Sequence, residues 1–365
     1  MVAMDTVDPE PVISVIIPAR NEESGLGACL ESLVTQTGIA FEIIVVDDHS
    51  SDRTPEIAAS FSNRGVRVIE AGSLPPARTG KNNALVAGVH QACGQWLLFT
   101  DADTVHLPGS LARALDEARR RKASLLSYSP QQIVESFWEK AVMPVVFGEL
   151  AAAYRPSQVS DPNSPAAAAN GQYILVTREA YAAVGGHAAV GDQILEDVAL
   201  ARAMKRSGRQ MFFRYAPDAV RTRMYHNFAE LREGWSKNLA LLFSSPPRLA
   251  ALRGIEFLLI IASLTIAAAN FVRGHERPAF LAGMLAIGLC TIFFRRIRRA
   301  HFSWQANVLA FIGLPVFSYL LLRSHRIHKY GAVAWKGRAY SGSIAREPIP
   351  AIPHPTHSLE INLRK

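Results

Sequence analysis

The chain has 365 residues, 49% of them hydrophobic and only 19% charged, with a net charge of +8. That length buries a core without disulfide staples, and the composition excludes intrinsic disorder, collagen and coiled coil while pointing to membrane segments. The charge is uneven, with 14 Lys/Arg against 3 Asp/Glu from Arg273 onward and 25 against 28 before it. The basic excess flanks apolar runs, which suits a membrane surface rather than nucleic acid.

The first eleven residues are acidic and lack an apolar h-region, so no signal peptide is expected and the bulk of the chain is placed in the cytoplasm. Residues 12–18 (VISVIIP), 41–47 (FEIIVVD), 66–70 and 96–100 (WLLFT) are short apolar runs that read as buried parallel strands. Helical patterns at 26–36, 55–62, 84–92 and 110–122 alternate with them, predicting a doubly wound α/β sheet. Ligands of such sheets lie beyond the carboxyl ends of the strands. A strand at 172–177, a helix at 194–207 and a strand at 210–215 continue the pattern. Two apolar stretches, 137–154 with Pro144 and Gly148 and 239–252 with Pro246-Pro247, suit either a bilayer interface or buried core helices.

From Phe257 the composition changes. Residues 257–272 and 279–294 are runs of 16 without charge, and 306–322 is a run of 17. Each reaches roughly 24–26 Å as helix, slightly short of a full hydrocarbon core. The basic cluster at 295–299 is expected on the cytoplasmic side, which makes the first two runs a hairpin. The third would send a basic tail outward, a conflict that a re-entrant segment bent near Gly313 and Pro315 resolves. The expected division is an extension (1–11), a catalytic domain (12–240), an interfacial linker (241–254), a membrane region with two or three helices (255–322) and a basic tail (323–365), Pro-rich and disordered after Ser341.

Gly25-Leu-Gly27-Ala-Cys-Leu30 looks like part of a dinucleotide fingerprint, with Asp47 placed as a ribose ligand, but its third glycine is Leu30 and six residues separate Pro18 from Gly25. Gly80-Lys81 lacks the Ser/Thr and nearby glycine of a P-loop. Cys29, Cys93 and Cys290 form no CxxC pair and read as small apolar fillers. Asp101-Ala-Asp103 ends a buried strand and puts two carboxylates at the ligand edge of the sheet. Such hard oxygens favour Mg2+ or Mn2+ bridging to phosphate, against a turn-and-cap reading. Asp47-Asp48 offers a nucleoside acceptor or a turn; Arg78 and Lys81, read as loop residues, offer charge for a diphosphate. Glu196-Asp197 opens a helix, as dipole-complementing acids or as a carboxylate base.

Together, IIPARNEE, IIVVDDHSSDRT, GKNNAL, FTDADT and, after Gly185-Gly186-His187, ILEDVALARAMKRSG resemble family 2 glycosyltransferases of GT-A fold over about residues 12–240. Within that family the chain looks most like bacterial membrane-bound members associated with carotenoids and hopanoids, the tail motif Trp335-Lys-Gly-Arg338 included. The resemblance implies that Pro18, Arg20, Glu22 and Asp48 hold the nucleoside and Lys81 the diphosphate. Asp101 and Asp103 would bind nucleotide and metal, and Asp197 would be the base beside Glu196. Gly171, Trp235 and Lys237 would contact acceptor or phosphate. Leu231 and Gly234 replace residues of the Q-x-x-R-W motif, so non-processive, inverting transfer from a nucleotide sugar, a UDP-sugar foremost, to a membrane lipid or isoprenoid is expected. The competing classes are a membrane-bound NAD enzyme and a non-catalytic nucleotide-binding membrane protein.

Overall fold

A computed structural model describes residues 11–335 and 338–341, and the side chains of 332–335 and 339–341 are outside the description. The extension before residue 11, Lys336-Gly337 and the tail after Ser341 therefore also lie outside the described residues. The first half alternates as β1 (Ile13–Ala19), α1 (Leu26–Val34), β2 (Phe41–Asp47), α2 (Thr54–Ser60), β3 (Val66–Glu70), α3 (Gly80–Gln91) and β4 (Trp96–Phe99). Then come β5 (Thr104–His106), α4 (Ser110–Arg120), β6 (Leu125–Ser129), β7 (Gln131–Gln132), α5 (Phe137–Ala153), α6 (Pro156–Ser160) and β8 (Ile174–Thr177). They are followed by α7 (Arg178–Ala183), α8 (Gly186–Ala189), α9 (Glu196–Arg206), β9 (Met211–Tyr215), β10 (Val220–Thr222) and α10 (Phe228–Leu242). The C-terminal part is α11 (Pro246–Val272), α12 (Glu276–Ile297), α13 (Trp304–Tyr330) and the strands β11 (Ala332–Trp335) and β12 (Arg338–Ser341).

The main sheet runs β3-β2-β1-β4-β8-β6-β9. Its first four strands are parallel, as the continuous apolar runs predict, because helices cover both faces. Ile13, Val15 and Ile17 pack on α1 and α4 on one face, and Ile16, Ile44 and Val46 on α3 on the other. The strand at 172–177 departs from the parallel pattern. As β8 it runs antiparallel to both β4 and β6, with Phe99 opposite Ile174 and Trp96 opposite Thr177. That reversal brings the start of β8, and so Gly171, beside the carboxyl end of β4. A small sheet in the order β5-β10-β7 continues directly from Asp103 and pins it: Thr222 Oγ1 donates to the Asp103 carbonyl at 3.2 Å.

A third apolar cluster joins α5, α10 and the C-terminal helices. The stretch at 137–154 is a buried core helix, started by a capping box between Ser136 and Glu139. The 241–254 segment is not a separate linker, since Pro246 already occupies the first turn of α11, where a missing N–H costs nothing. At the base of the α11–α12 pair, Arg253 meets Glu149 at 2.7 Å and Glu256 at 3.0 Å, and Arg296 meets both at 2.8 Å. Beyond that network Leu258, Leu264, Phe271, Phe280, Leu285 and Ile292 are exposed. All three C-terminal helices are long and apolar enough to cross a membrane.

The third is one continuous helix through Pro315, not a bent re-entrant segment. Just before it, His301 stacks on Tyr215, with centroids 4.6 Å apart. Midway, Gly313 lies directly against the Ala141 carbonyl of α5. Near its end, Arg323 Nε donates to Ser236 Oγ at 3.1 Å and the His328 ring reaches the Lys237 carbonyl at 2.8 Å. Cys29 is a buried filler, but Cys93 is exposed.

Gly313→Ala drives a methyl into the Ala141 carbonyl and is expected to cost about 1–3 kcal/mol by overpacking. Gly283→Ala, whose added methyl meets nothing, should leave the midpoint unchanged or raised. Thermal unfolding of the two variants in one detergent checks this. Equal midpoints would contradict the α5–α13 contact.

Candidate active site

The site forms where β1, β2, β4 and β8 present their loops. After β1, Arg20 Nη1 donates to the carbonyls of Asp48 and His49, at 2.5 and 3.0 Å, and Asn21 Oδ1 accepts from Ser51 N at 2.8 Å. Glu22 N donates to Thr54 Oγ1 at 2.7 Å. These bonds lace the β1 and β2 loops into one rim, with Asn21 and His49 both at positive φ. The two adjacent aspartates separate in role. Asp47 Oδ2 accepts from Ser50 N at 3.2 Å and makes the turn, whereas the Asp48 carboxylate is gripped by both nitrogens of Arg338.

Lys81 sits in the first turn of α3, not in a loop, behind an N-cap in which Thr79 Oγ1 accepts from Asn82 N. Its ammonium lies 2.7 Å from Asp101 Oδ1 and 2.7 Å from Glu196 Oε1. Burial works against that charge, but the two carboxylates outweigh it and hold the lysine well above its ordinary pKa. Asp197, next along α9, accepts from Gly171 N at 3.0 Å and Val198 N at 2.7 Å. Burial and the Glu196 charge push its pKa up to about 6, against the opposing pull of Lys81 and the two backbone donors. Pro18, Thr100, Gly171 and His187 line the cleft with Lys81, Asp101 and Glu196.

Gly171 is needed for that closeness. A Cβ there would stand 3.2 Å from Lys81 Nζ, 3.4 Å from Glu196 Oε1 and 3.5 Å from Asp197 Oδ2. Lys237 on α10 faces the same group. Burial and Lys81 lower its pKa to about 8, while Glu196, Asp101 and Asp197 oppose the shift. Trp235 does not join it. It is 2% exposed and packs edge-on to Phe147 and Tyr225, so no face is open to an acceptor.

Burial, reinforced by the charges of Asp103, Asp101 and Glu22, raises the pKa of the Cys29 thiol. Gly25 belongs to this arrangement: a Cβ on it would meet the Ala102 carbonyl and Asp103 Cα, both at 3.2 Å. Its glycine thus serves the Asp101–Asp103 loop, and the dinucleotide fingerprint needs no place. Among the described residues no three His, Cys, Asp or Glu side chains form a cage for an ion. Two carboxylates suit Mg2+ or Mn2+, which take their remaining ligands from diphosphate oxygens and water, so the donor set fits.

Sequence reasoning passed over Asn82. Its Nδ2 donates to the carbonyls of Val190, Gly191 and Gln193, at 3.0–3.1 Å, and so ties α3 to the loop before Glu196. Asn83 likewise reaches the Ala71 carbonyl at 2.9 Å. Asparagine is a poor helix former, so two in succession at a helix start were a signal of such a tie. Arg338 carried no local signal of its role.

An α/β sheet whose ligand edge gathers a lysine, an Asp-x-Asp pair and a buried carboxylate defines a GT-A type transferase. Residues 14–177 match Glycosyl transferase family 2, so the chain carries a family 2 glycosyltransferase domain. It is 29% identical to a Staphylococcus aureus 4,4'-diaponeurosporenoate glycosyltransferase, over 90% of this chain and 88% of the relative. It is also similar to the Pyrobaculum calidifontis mannosyltransferase PcManGT, solved with GDP-Man and Mn2+, at 16% identity, TM-score 0.49 and 88% coverage of each chain. The S. aureus TarS 1-349 complex with UDP-GlcNAc aligns at 14% identity and TM-score 0.44, over 92% of this chain and 98% of that 1-349 chain.

Gly171→Ala should separate Lys81 from Glu196 and Asp197 by a few tenths of an ångström. The expected result is a loss in kcat of about 100-fold, as for small misplacements of reacting groups, with the thermal midpoint nearly unchanged. Wild-type kcat in this variant would show that the close approach is dispensable.

Proposed function

We propose that the protein transfers a sugar, with inversion, from a nucleoside diphosphate sugar, a UDP-sugar foremost, to an oxygen of a lipid or isoprenoid acceptor, one sugar per acceptor. The observation that carries this reading is a carboxylate of raised pKa, Asp197, held beside the Lys81–Asp101–Glu196 cluster where the sheet opens toward apolar helices. The name of the S. aureus relative supports an isoprenoid acceptor.

In the proposed step the acceptor oxygen attacks the anomeric carbon while the bond from that carbon to the β-phosphate oxygen breaks. The electron pair leaves with the nucleoside diphosphate, and where the acceptor is a hydroxyl its proton passes to Asp197. Asp48 and the rim fixed by Arg20 and Glu22 bind the nucleoside against Pro18; Lys81 and Lys237 face the departing phosphates. Glu196 positions Lys81. A divalent ion on Asp101 and Asp103 would supply further charge neutralisation to the diphosphate when bound.

The α11–α12 hairpin is the proposed membrane anchor. Its exposed leucines, phenylalanines and isoleucines face lipid, and Arg295, Arg296, Arg298 and Arg299 stay on the cytoplasmic, catalytic side. α13 touches the catalytic domain before its start, at its middle and near its end, so it lies along that domain instead of leaving it. The chain then crosses twice. Cysteine labelling tests this: His275→Cys should react with an impermeant maleimide from outside intact cells, and Gly331→Cys only after lysis. Labelling of position 331 from outside would establish a third crossing.

Asp197→Asn should cut transfer by about 100- to 10,000-fold, with nucleoside diphosphate affinity within about twofold of wild type. Loss of both would make the residue structural. The base works only when ionised, so kcat/KM should fall tenfold per pH step below about 6. The same raised pKa means that the folded protein favours the protonated carboxyl. Its stabilising contribution is therefore complete below the ordinary carboxylate range and lost as pH rises through about 6. Asp197→Asn should accordingly raise the thermal midpoint more at pH 8 than at pH 5.

A further inference from the structure

The strand pair β11–β12 follows α13 and returns the chain to the sheet, with Ala332 opposite Ser341 and Trp335 opposite Arg338. Arg338 is carried back 290 positions to Asp48, at the carboxyl end of β2. Its Nη2 donates to Asp48 Oδ1 at 3.0 Å and its Nη1 pairs with Oδ2, a two-pronged contact with both side chains largely buried. The guanidinium also lies against Gly80, where an added Cβ would strike Arg338 Nη1 and Asp48 Oδ2 together. Gly80 opens α3 and directly precedes Lys81.

This is an unfavourable place for a resting cation. The amino end of a helix carries partial positive charge and favours anions. Lys81, one residue on, is already a held ammonium. Among the described residues Asp48 is the carboxylate paired with Arg338 there, and Asp48 is also the carboxylate assigned above to the nucleoside. A nucleoside that takes the hydrogen-bonding capacity of Asp48 displaces a guanidinium that cannot lose its proton. The diphosphate attached to that nucleoside brings the anionic oxygens that fit a two-pronged arginine, and the α3 amino end and Lys81 face the same region.

We propose that Arg338 is a donor-binding residue that rests on Asp48 and transfers its two-pronged contact to the donor diphosphate when the nucleoside arrives. The C-terminal strand pair thereby forms one wall of the nucleotide site. It supplies an arginine to a chain whose α10 has Leu231 and Gly234 in place of residues of the Q-x-x-R-W motif. The inference rests on the donor site proposed above, and it goes beyond that reading by adding a residue from outside the family 2 domain at 14–177.

The test compares full-length wild type, Arg338→Ala and Arg338→Lys in detergent. Kd is measured for UDP and GDP with Mn2+, and for uridine and guanosine, which lack phosphate. Arg338→Ala should weaken the preferred diphosphate by about 10- to 100-fold, the range of a charge-assisted hydrogen bond, and leave its nucleoside unchanged or tighter because Asp48 is freed. Arg338→Lys should fall between, keeping the charge but losing the second prong. An equal loss for nucleoside and diphosphate would make Arg338 a scaffold only. Tighter diphosphate binding in the alanine variant would make it a simple block. Either result overturns the proposal while leaving the donor site intact, whereas a wild type that binds neither diphosphate overturns both.

Discussion

A single ammonium organises the catalytic face. Lys81 from the third helix lies 2.7 Å from Asp101 at the end of β4 and 2.7 Å from Glu196 at the start of α9. Each carboxylate is brought there by a different segment, and each would repel the other without the lysine. The surrounding features follow from keeping that ion cluster closed. Asn82, one residue along the helix, pins three carbonyls of the loop that delivers Glu196. Gly171 has no side chain because three charged atoms lie within 3.5 Å of where one would begin. Asp197 is buried next to that cluster, and burial together with the Glu196 charge pushes its pKa up to about 6.

The reversed strand β8 makes this closure possible. A parallel strand beside β4 would begin at the opposite edge of the sheet, far from Asp101. Running antiparallel, β8 starts at the ligand edge and places Gly171 against Lys81 and Asp197. The small β5-β10-β7 sheet continues from Asp103 and fixes the other side of the Asp-x-Asp loop. The cleft thus has one side laced by Arg20, Asn21 and Glu22 and an opposite side formed by β8, α9 and α10. Only the second adjoins the apolar cluster shared with the C-terminal helices.

What the sequence disclosed and what it hid divide along the same physical line. The four parallel strands were legible because burial on both faces writes continuous apolar runs. Asp101 and Asp103 read from sequence as lying at the ligand edge because they follow a strand, whereas Asp197 opens a helix where an acid also complements the dipole, and its contact with Gly171 N was not legible. The direction of β8 was not, since a four-residue buried strand reads the same either way. Asp47 and Asp48 are adjacent and alike, and only their contacts, Ser50 N for one and Arg338 for the other, distinguish turn from cleft. Trp235 carries the residue type of an acceptor platform but is enclosed by Phe147 and Tyr225, a burial that no local pattern encodes.

The third apolar helix is the sharpest case. Composition alone makes α13 equivalent to α11 and α12, yet its neighbours differ. Gly313 permits backbone contact with α5, and Ser236 and Lys237 of α10 meet Arg323 and His328 on its last turns. A helix of 27 residues spans about 40 Å, and it meets α5 and α10 at several points along that length. The chain that follows returns to the sheet, where Arg338 meets Asp48 beyond the carboxyl end of β2. The Glu149–Arg253–Glu256–Arg296 network marks where the first two helices depart from the domain. Those ionic groups belong at the polar boundary, and the uncharged runs beyond them pack on one another and on α13 while leaving many apolar side chains exposed.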